Sequence, residues 1–225
     1  MRRIALTIRQ RIYLILLLTG IGFLGMTIVD LAEMHRSLVE RKKAELALIA
    51  GIAAAIAEAE HRAAVAGTGE EAAKADAMAR IGALRYGDDG YFWISDLDDG
   101  RIVMHPFLPA SVGFDVLARL GGDPRPFVRR MIATVGRAGQ GFVEYRKTRP
   151  SDGEPREKLS RVVGFEPWGW IIGTSVYMDD VEAPFWQATR ERLGVALGLY
   201  ALLGAAAVYA ARRISRTTLS TATAG

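Results

Sequence analysis

Two long apolar runs constrain this chain more than any other feature. Residues 12–31 carry no charge before Asp30, and residues 193–211 carry none at all. A helix that crosses the hydrocarbon core of a bilayer needs about 20 residues, each rising about 1.5 Å, and both runs meet that length. A single globule is therefore a poor description of the 225 residues; two spans with one domain between them is a better one. A cleaved signal peptide would share the basic leader formed by Arg2, Arg3, Arg9 and Arg11. The length of the run, and an exit through Val29-Asp30-Leu31-Ala32-Glu33 with no small-x-small cleavage site, favour an uncleaved anchor.

Arginine placement orients the spans. Four arginines precede the first run, and Arg212, Arg213 and Arg216 follow the second, so both ends are expected in the cytoplasm. The expected layout is a cytoplasmic N-terminus (1–11), a first span (12–31), an extracytoplasmic domain (32–192), a second span (193–211) and a cytoplasmic tail (212–225). The formal charge of +4 is then mostly a topology signal. No basic strip interleaved with aromatics points to nucleic acid. Cysteine is absent, which excludes disulfides and thiol chemistry. The three histidines, His35, His61 and His105, have no ligand spacing, so neither a metal nor a cofactor is expected.

Past Asp30 the first span is expected to continue outward as one helix to about residue 66, with Leu38, Leu46, Ile49, Ile52, Ala53 and Ile56 as its apolar stripe. Gly67-Thr68-Gly69 should break it, and residues 70–84 read as a second helix. After Gly87 short aromatic and branched runs alternate with turn residues, the pattern of an antiparallel sheet. Five strands are expected, at 91–95, 101–105, 141–147, 158–165 and 170–177. The turn Asp96-Leu97-Asp98-Asp99-Gly100 joins the first two, and a polar loop at 150–155 joins the third and fourth. A short helix over 127–135, opened by Pro124 and Pro126, lies between the second and third strands. Asp179 or Asp180 should cap the helix that runs into the second span, with Trp186 and Tyr200 or Tyr209 suited to an interfacial belt.

Within apolar strands, polar residues are the informative ones. Strand alternation puts Tyr91 with Trp93, Arg101 and Val103 with His105, Tyr145 with Lys147, and Lys158 with Ser160. If Tyr91, Trp93, His105, Tyr145 and Lys158 converge, they form an aromatic pocket with cationic and donor groups, suited to a small carboxylate that would be costly to bury unpaired. Arg85 and Tyr86, just ahead of the sheet, could add further donors. Ordinary alternatives stand beside each reading: core packing for Tyr91 and Trp93, a solvent-facing ring for His105, a surface charge for Lys158. Trp168 and Trp170, flanking a turn, read as core.

The runs Leu84-Arg85-Tyr86-Gly87, Asp89-Gly90-Tyr91-Phe92-Trp93-Ile94, Val103-Met104-His105-Pro106, Gly141-Phe142-Val143-Glu144-Tyr145, Lys158-Leu159-Ser160 and Phe165-Glu166-Pro167-Trp168-Gly169-Trp170 occur in this order, followed by Ile172-Gly173-Thr174. Together they resemble the single Cache domain, type 2, over roughly residues 33–191. The resemblance implies an α+β fold: a PAS-like antiparallel five-stranded sheet with a long N-terminal helix, here bracketed by two transmembrane helices. It also implies a sensor of short-chain carboxylates such as acetate, propionate, pyruvate or lactate in a methyl-accepting chemotaxis receptor of the bacterial inner membrane. By resemblance, pocket roles fall to Arg85, Tyr91, Trp93, His105, Tyr145 and Lys158. A homodimer is the expected assembly, and no catalytic residues are expected.

Arg212-Arg213-Ile214-Ser215-Arg216 begins like a HAMP linker, yet the chain stops at Gly225. The expectation is a fragment, or a truncated product whose output lies in a partner, with the input module of a sensor histidine kinase or a stand-alone membrane protein as alternatives. A hydrolytic set of His105, Asp96 or Asp98, and Ser111 lacks any recognised catalytic spacing. Gly194 and Gly198 form a weak small-x-x-x-small signal for helix association.

Overall fold

The computed structural model describes residues 7–221, apart from 88, 108, 110–111, 114–124 and 150–152. Arg2, Arg3, Ser111, Pro124 and Gly225, named above, and residues 150–152 of the loop lie outside the described residues. The chain divides into two compact units, residues 38–182 and a second made of 1–37 with 183–225.

In the unit of residues 38–182, helix α1 (Ile8–Ala63) contributes its outer part. A π-helical turn over Ala64–Thr68 ends it, where Gly67 and Gly69 take φ values of 116° and 91° that other residues rarely adopt. Helix α2 (Glu70–Ala83) then folds back. Strands β1 (Phe92–Asp96) and β2 (Ile102–Met104), helix α3 (Arg125–Ala138), strands β3 (Gln140–Thr148), β4 (Pro155–Phe165) and β5 (Trp170–Tyr177), and the start of helix α4 (Met178–Thr221) follow. The sheet is antiparallel, in the order β2-β1-β5-β4-β3. Its middle is therefore made of β1, β5 and β4, and the last strand lies at its centre and hands over directly to α4.

The two faces of the sheet carry separate cores. Alternate residues Phe92 and Ile94 of β1 and Trp170 and Ile172 of β5 pack with Ala53, Ala57, Ala73, Ala77 and Ile81 of α1 and α2. The alanines let the two helices approach closely. Trp168 and Trp170 are buried in this core, as their turn-flanking positions suggested. On the other face, Val143, Val162 and Ile171 pack against Met131 and Val135 of α3. The long helix thus covers one side, and among the described residues α3 covers the other.

Three local expectations need correction. Ile52 is half-exposed, because the buried arc of α1 runs through Leu46, Ala50, Ala53 and Ala57 instead. Val103 does not share a face with His105: the register changes from Ile94↔Met104 to Ser95↔Ile102, a bulge that inserts Val103 as an extra residue and turns it toward the α1–α2 core. Asp179 and Asp180 lie inside the first turn of α4, and their carboxylates pair with Arg149 at 3.1 and 2.6 Å. The Asp96 turn matches expectation. Asp96 Oδ1 accepts the backbone N–H of Asp98 at 2.8 Å, and Gly100 closes the turn at φ 76°.

The other unit is a pair of helical segments from α1 and α4. Both are long and apolar enough to cross a membrane, with mean hydropathy of 2.3 and 1.9, and the side chains of those stretches are not buried in the protein. Close approach occurs where Gly20 lies beneath the Tyr200 ring, whose hydroxyl donates to the Leu16 carbonyl. A side chain at Gly194 or Gly198 would meet nothing within 4 Å. Asp30 and Arg192, the charges bordering the two apolar runs, line one shared cleft and so stand at the same level.

Candidate functional site

The site lies on the α3 face of the sheet, and strand alternation explains its membership. Trp93 and Ser95 of β1, Tyr145 and Lys147 of β3, and Ser175 of β5 all point to this face, while Phe92, Ile94 and Thr174 point away. The bulge in β2 brings Ile102 to the same side, and His105 follows just beyond the strand. Phe127, Val128 and Met131, on one side of α3, form the roof. Together these residues and Tyr91 enclose a cavity of about 50 Å³. No Asp or Glu lines it among the described residues.

Five rings, those of Tyr91, Trp93, His105, Phe127 and Tyr145, contribute to the wall. Tyr91 packs on Trp93, His105 and Phe107 with centroids 6.4, 5.1 and 5.1 Å away. Phe127 stacks on Tyr145 at 4.0 Å. Beneath this layer, the Lys158 side chain is almost entirely buried, its Nζ lying 5.7 Å from the Tyr91 ring centre and 4.5 Å from that of Tyr177. Such faces attract a cation. They do not replace a counterion.

The electrostatics follow from that burial. Desolvation, reinforced by the like charges of Lys147 and Arg149, pulls the Lys158 ammonium down to about 7. Burial also lowers Lys147. His105 is held near 4, chiefly by desolvation and further by Lys147 and Lys158, so its ring is neutral. Its Nδ1 accepts the Phe107 backbone N–H at 3.2 Å, which leaves the proton on Nε2 as a donor. Burial raises the phenol of Tyr91 to about 12 and that of Tyr145 well above its ordinary range, the latter opposed by the hydroxyls of Ser160 and Ser175. Both phenols therefore stay neutral and able to donate. The arrangement offers hydrogen-bond donors and latent positive charge to a small anion. No group of three His, Asp or Glu side chains among the described residues is set to hold a metal.

Of the six residues singled out in the sequence, Tyr91, Trp93, His105 and Tyr145 line the cavity, and Lys158 lies directly behind Tyr91. Arg85 stands outside the wall. Its guanidinium donates to the carbonyls of Gly82 and Leu84, both at 2.7 Å, and rests 5.0 Å from the Phe107 ring. Tyr86, suggested as an added donor, is turned to the opposite face, where it packs on Phe92 and its hydroxyl meets Thr174 Oγ1. Lys147 was named only as a companion of Tyr145, yet it lines the cavity; period-two spacing from Tyr145 was the signal. Phe127 and Met131 share the roof through i, i+4 spacing, which the sequence shows once α3 is known to cover this face.

Comparison with known proteins identifies the family that has this fold. The family model of single Cache domain 2 matches residues 38–191. The methyl-accepting chemotaxis protein McpP of Pseudomonas putida is 33% identical over 213 residues, covering 94% of this chain and 39% of that protein. The sensor histidine kinase MctS of Rhizobium johnstonii is 41% identical over 118 residues, 52% of this chain and 25% of that one. The chain thus spans well under half the length of either relative. Among solved structures, a Cache chemosensory domain described for carboxylic acid recognition shares 36% identity at a TM-score of 0.56, over 64% of this chain and 99% of its own. A periplasmic sensor domain of a chemotaxis protein shares 31% at 0.57, over 63% and 98%. The family match runs through the whole unit that carries the cavity, and the chain belongs to the single Cache domain 2 family.

Proposed function

We propose that the chain is the sensory part of a bacterial chemoreceptor: residues 32–192 lie outside the inner membrane, the two apolar helices cross it, and the cavity binds a small monocarboxylate. The observation that carries this reading is Lys158, a buried amine among aromatic rings on whose charge, among the described residues, only further cations, Lys147 and Arg149, act. Burying such a charge without a counterion is costly, and a ligand carboxylate supplies one. Likeness to a domain described for carboxylic acid recognition supports the same ligand class. The level placement of Asp30 and Arg192 supports a single membrane boundary for both helices.

Size narrows the ligand. A cavity of about 50 Å³ holds about four water-sized groups at about 10–15 Å³ each, which suits acids of two or three carbons. At about −1.5 kcal/mol per heavy atom, an acid of about six such atoms reaches at most about −9 kcal/mol, so Kd stays above about 0.3 μM. Tyr91, Trp93, His105, Tyr145, Lys147 and Lys158 are the binding residues in this proposal, with Arg85 holding Phe107 against Tyr91.

The signal is proposed to leave through β5, which contributes Ser175 to the cavity wall and continues without a break into α4. Tyr177 lies between the Lys158 amine at 4.5 Å and the Arg149 guanidinium at 4.2 Å, and Arg149 in turn grips the first turn of α4. Helix shifts of about 1–2 Å are an established switching mode. Calorimetric titration of the full chain in nanodiscs with acetate, propionate, pyruvate and lactate tests the ligand claim; heat from none of them would refute it. The identity with the histidine kinase MctS favours a second reading, in which the same sensor drives a kinase. Fusion of the chain to each type of output module, read by ligand response, separates the two.

A further inference from the structure

We propose that the site takes up its carboxylate together with one proton from solvent, the proton ending on the Lys158 amine as the ion pair forms. This rests on the carboxylate reading above and specifies its chemistry. The geometry makes the case. Among the described residues, the elements packed around Lys158 present neutral or cationic groups: Tyr145 and Lys147 from β3, Arg149 from the end of that strand, Tyr177 from β5, Tyr91 ahead of β1 and His105 after β2. The nearby acids do not neutralise the amine, because Asp179 and Asp180 are engaged by Arg149. Tyr91 and Tyr145 hold their phenolic protons, so neither becomes an anion in the neutral range.

Without ligand, the buried amine therefore loses its proton near pH 7. A carboxylate entering beside it adds the one negative charge the enclosure lacks, and the charged form again becomes the favoured one. The lone pair of the neutral amine binds a proton drawn from buffer; no other bond changes. His105 stays out of this exchange, since its ring is neutral until about pH 4 and its Nδ1 is committed to the Phe107 N–H. The consequence is a receptor whose apparent affinity for its acid falls as the surroundings become alkaline, with no change in the ligand's own ionisation.

The experiment is calorimetric titration of the full chain in nanodiscs with acetate and with propionate, in phosphate and in Tris at matched pH. The two buffers differ in ionisation heat, so the difference in observed heat counts protons. With a free amine near 7, uptake should be about 0.9 proton per acid at pH 8 and about 0.1 at pH 6. Kd should be nearly flat below pH 6 and rise about tenfold per unit above pH 8. Lys158→Arg, which stays charged, should bind with no uptake and a flat profile; if it fails to fold, Lys158→Gln should bind weakly and also without uptake.

Binding with equal heats in both buffers at pH 8 would overturn the proposal and leave the carboxylate reading intact. Uptake that survives in the Lys158 variants but disappears in Lys147→Gln would overturn the assignment to Lys158. Absence of binding at every pH would remove the carboxylate reading and this proposal with it.

Discussion

Gly173 offers the sharpest test that Trp93 is a wall of the binding cavity. It faces Trp93 across the β1–β5 ladder, and an added Cβ would lie 2.5 Å from the indole Cε2 and 2.9 Å from Cη2. Carbon atoms in contact sit about 3.5–4.0 Å apart, so the ring has to retreat by about 1 Å in Gly173→Ala. The free volume beside it is the cavity itself, which the indole borders. The backbone at Gly173 is not in the left-handed region, so alanine meets no conformational strain there and the effect isolates packing. Overpacking of this kind costs about 1–3 kcal/mol. For a unit of residues 38–182, at about 3 °C per kcal/mol, Tm should fall by about 3–9 °C.

Acid affinity should fall at least about tenfold, because the ring occupies space the ligand needs. Gly164→Ala is the control: its Cβ presses on Val135 and lies 3.2 Å from the Gly139 carbonyl, under the C-terminal end of α3 and away from the Phe127, Val128 and Met131 roof of the ligand space. It should lower Tm and spare affinity. Thermal unfolding and acid titration of both variants decide the matter. Wild-type melting and binding in Gly173→Ala would refute the packing argument; equal loss of affinity in both would show general destabilisation instead.

Three further outcomes follow from the same geometry. In the unfolded chain Lys158 keeps its ordinary value near 10.5, while in the fold it sits near 7, so the unfolded state binds more protons between those values. Ligand-free stability should therefore rise with pH from about 7 toward 10, by no more than about 1.4 kcal/mol per unit, and saturating acid should flatten the slope; denaturant unfolding at pH 7, 8 and 9 measures it. Arg149→Gln should cost about 1 kcal/mol, since Asp180 is exposed and Asp179 about a third so, yet it should uncouple ligand binding from movement of α4 as read by a spin label at Glu182. In a parallel homodimer, Leu48→Cys and Ile52→Cys, on the exposed side of α1, should crosslink in membranes, whereas Ala53→Cys and Ala57→Cys should not; the reverse pattern would place the partner elsewhere.

Features that depend on neighbouring residues were open to sequence reading. An apolar run of about 20 residues is unfavourable in water wherever it occurs, so both membrane-length helices could be placed from composition alone. Gly67 and Gly69 break a helix through their own φ angles, and Asp96 and Gly100 build a turn from adjacent backbone groups. Period-two alternation put Tyr91 with Trp93 and Tyr145 with Lys147, four of the residues that line the cavity.

Other features came only from contacts between distant parts of the chain. The β2 bulge moved Val103 off the face of His105, and strand alternation cannot register one extra residue in a pairing it does not see. Tyr86 turned away because Thr174, 88 positions later, offers its hydroxyl a partner on the opposite face. Lys158 reads locally as a charge beside Glu157 and Arg156. It became a buried, partly discharged amine because β3 and β5 flank it and Tyr91 closes over it. Local composition determined where the chain leaves water and where it turns, since those energies arise within a few residues; the charge state that equips the cavity for an acid arises from desolvation, which only the assembled sheet can impose.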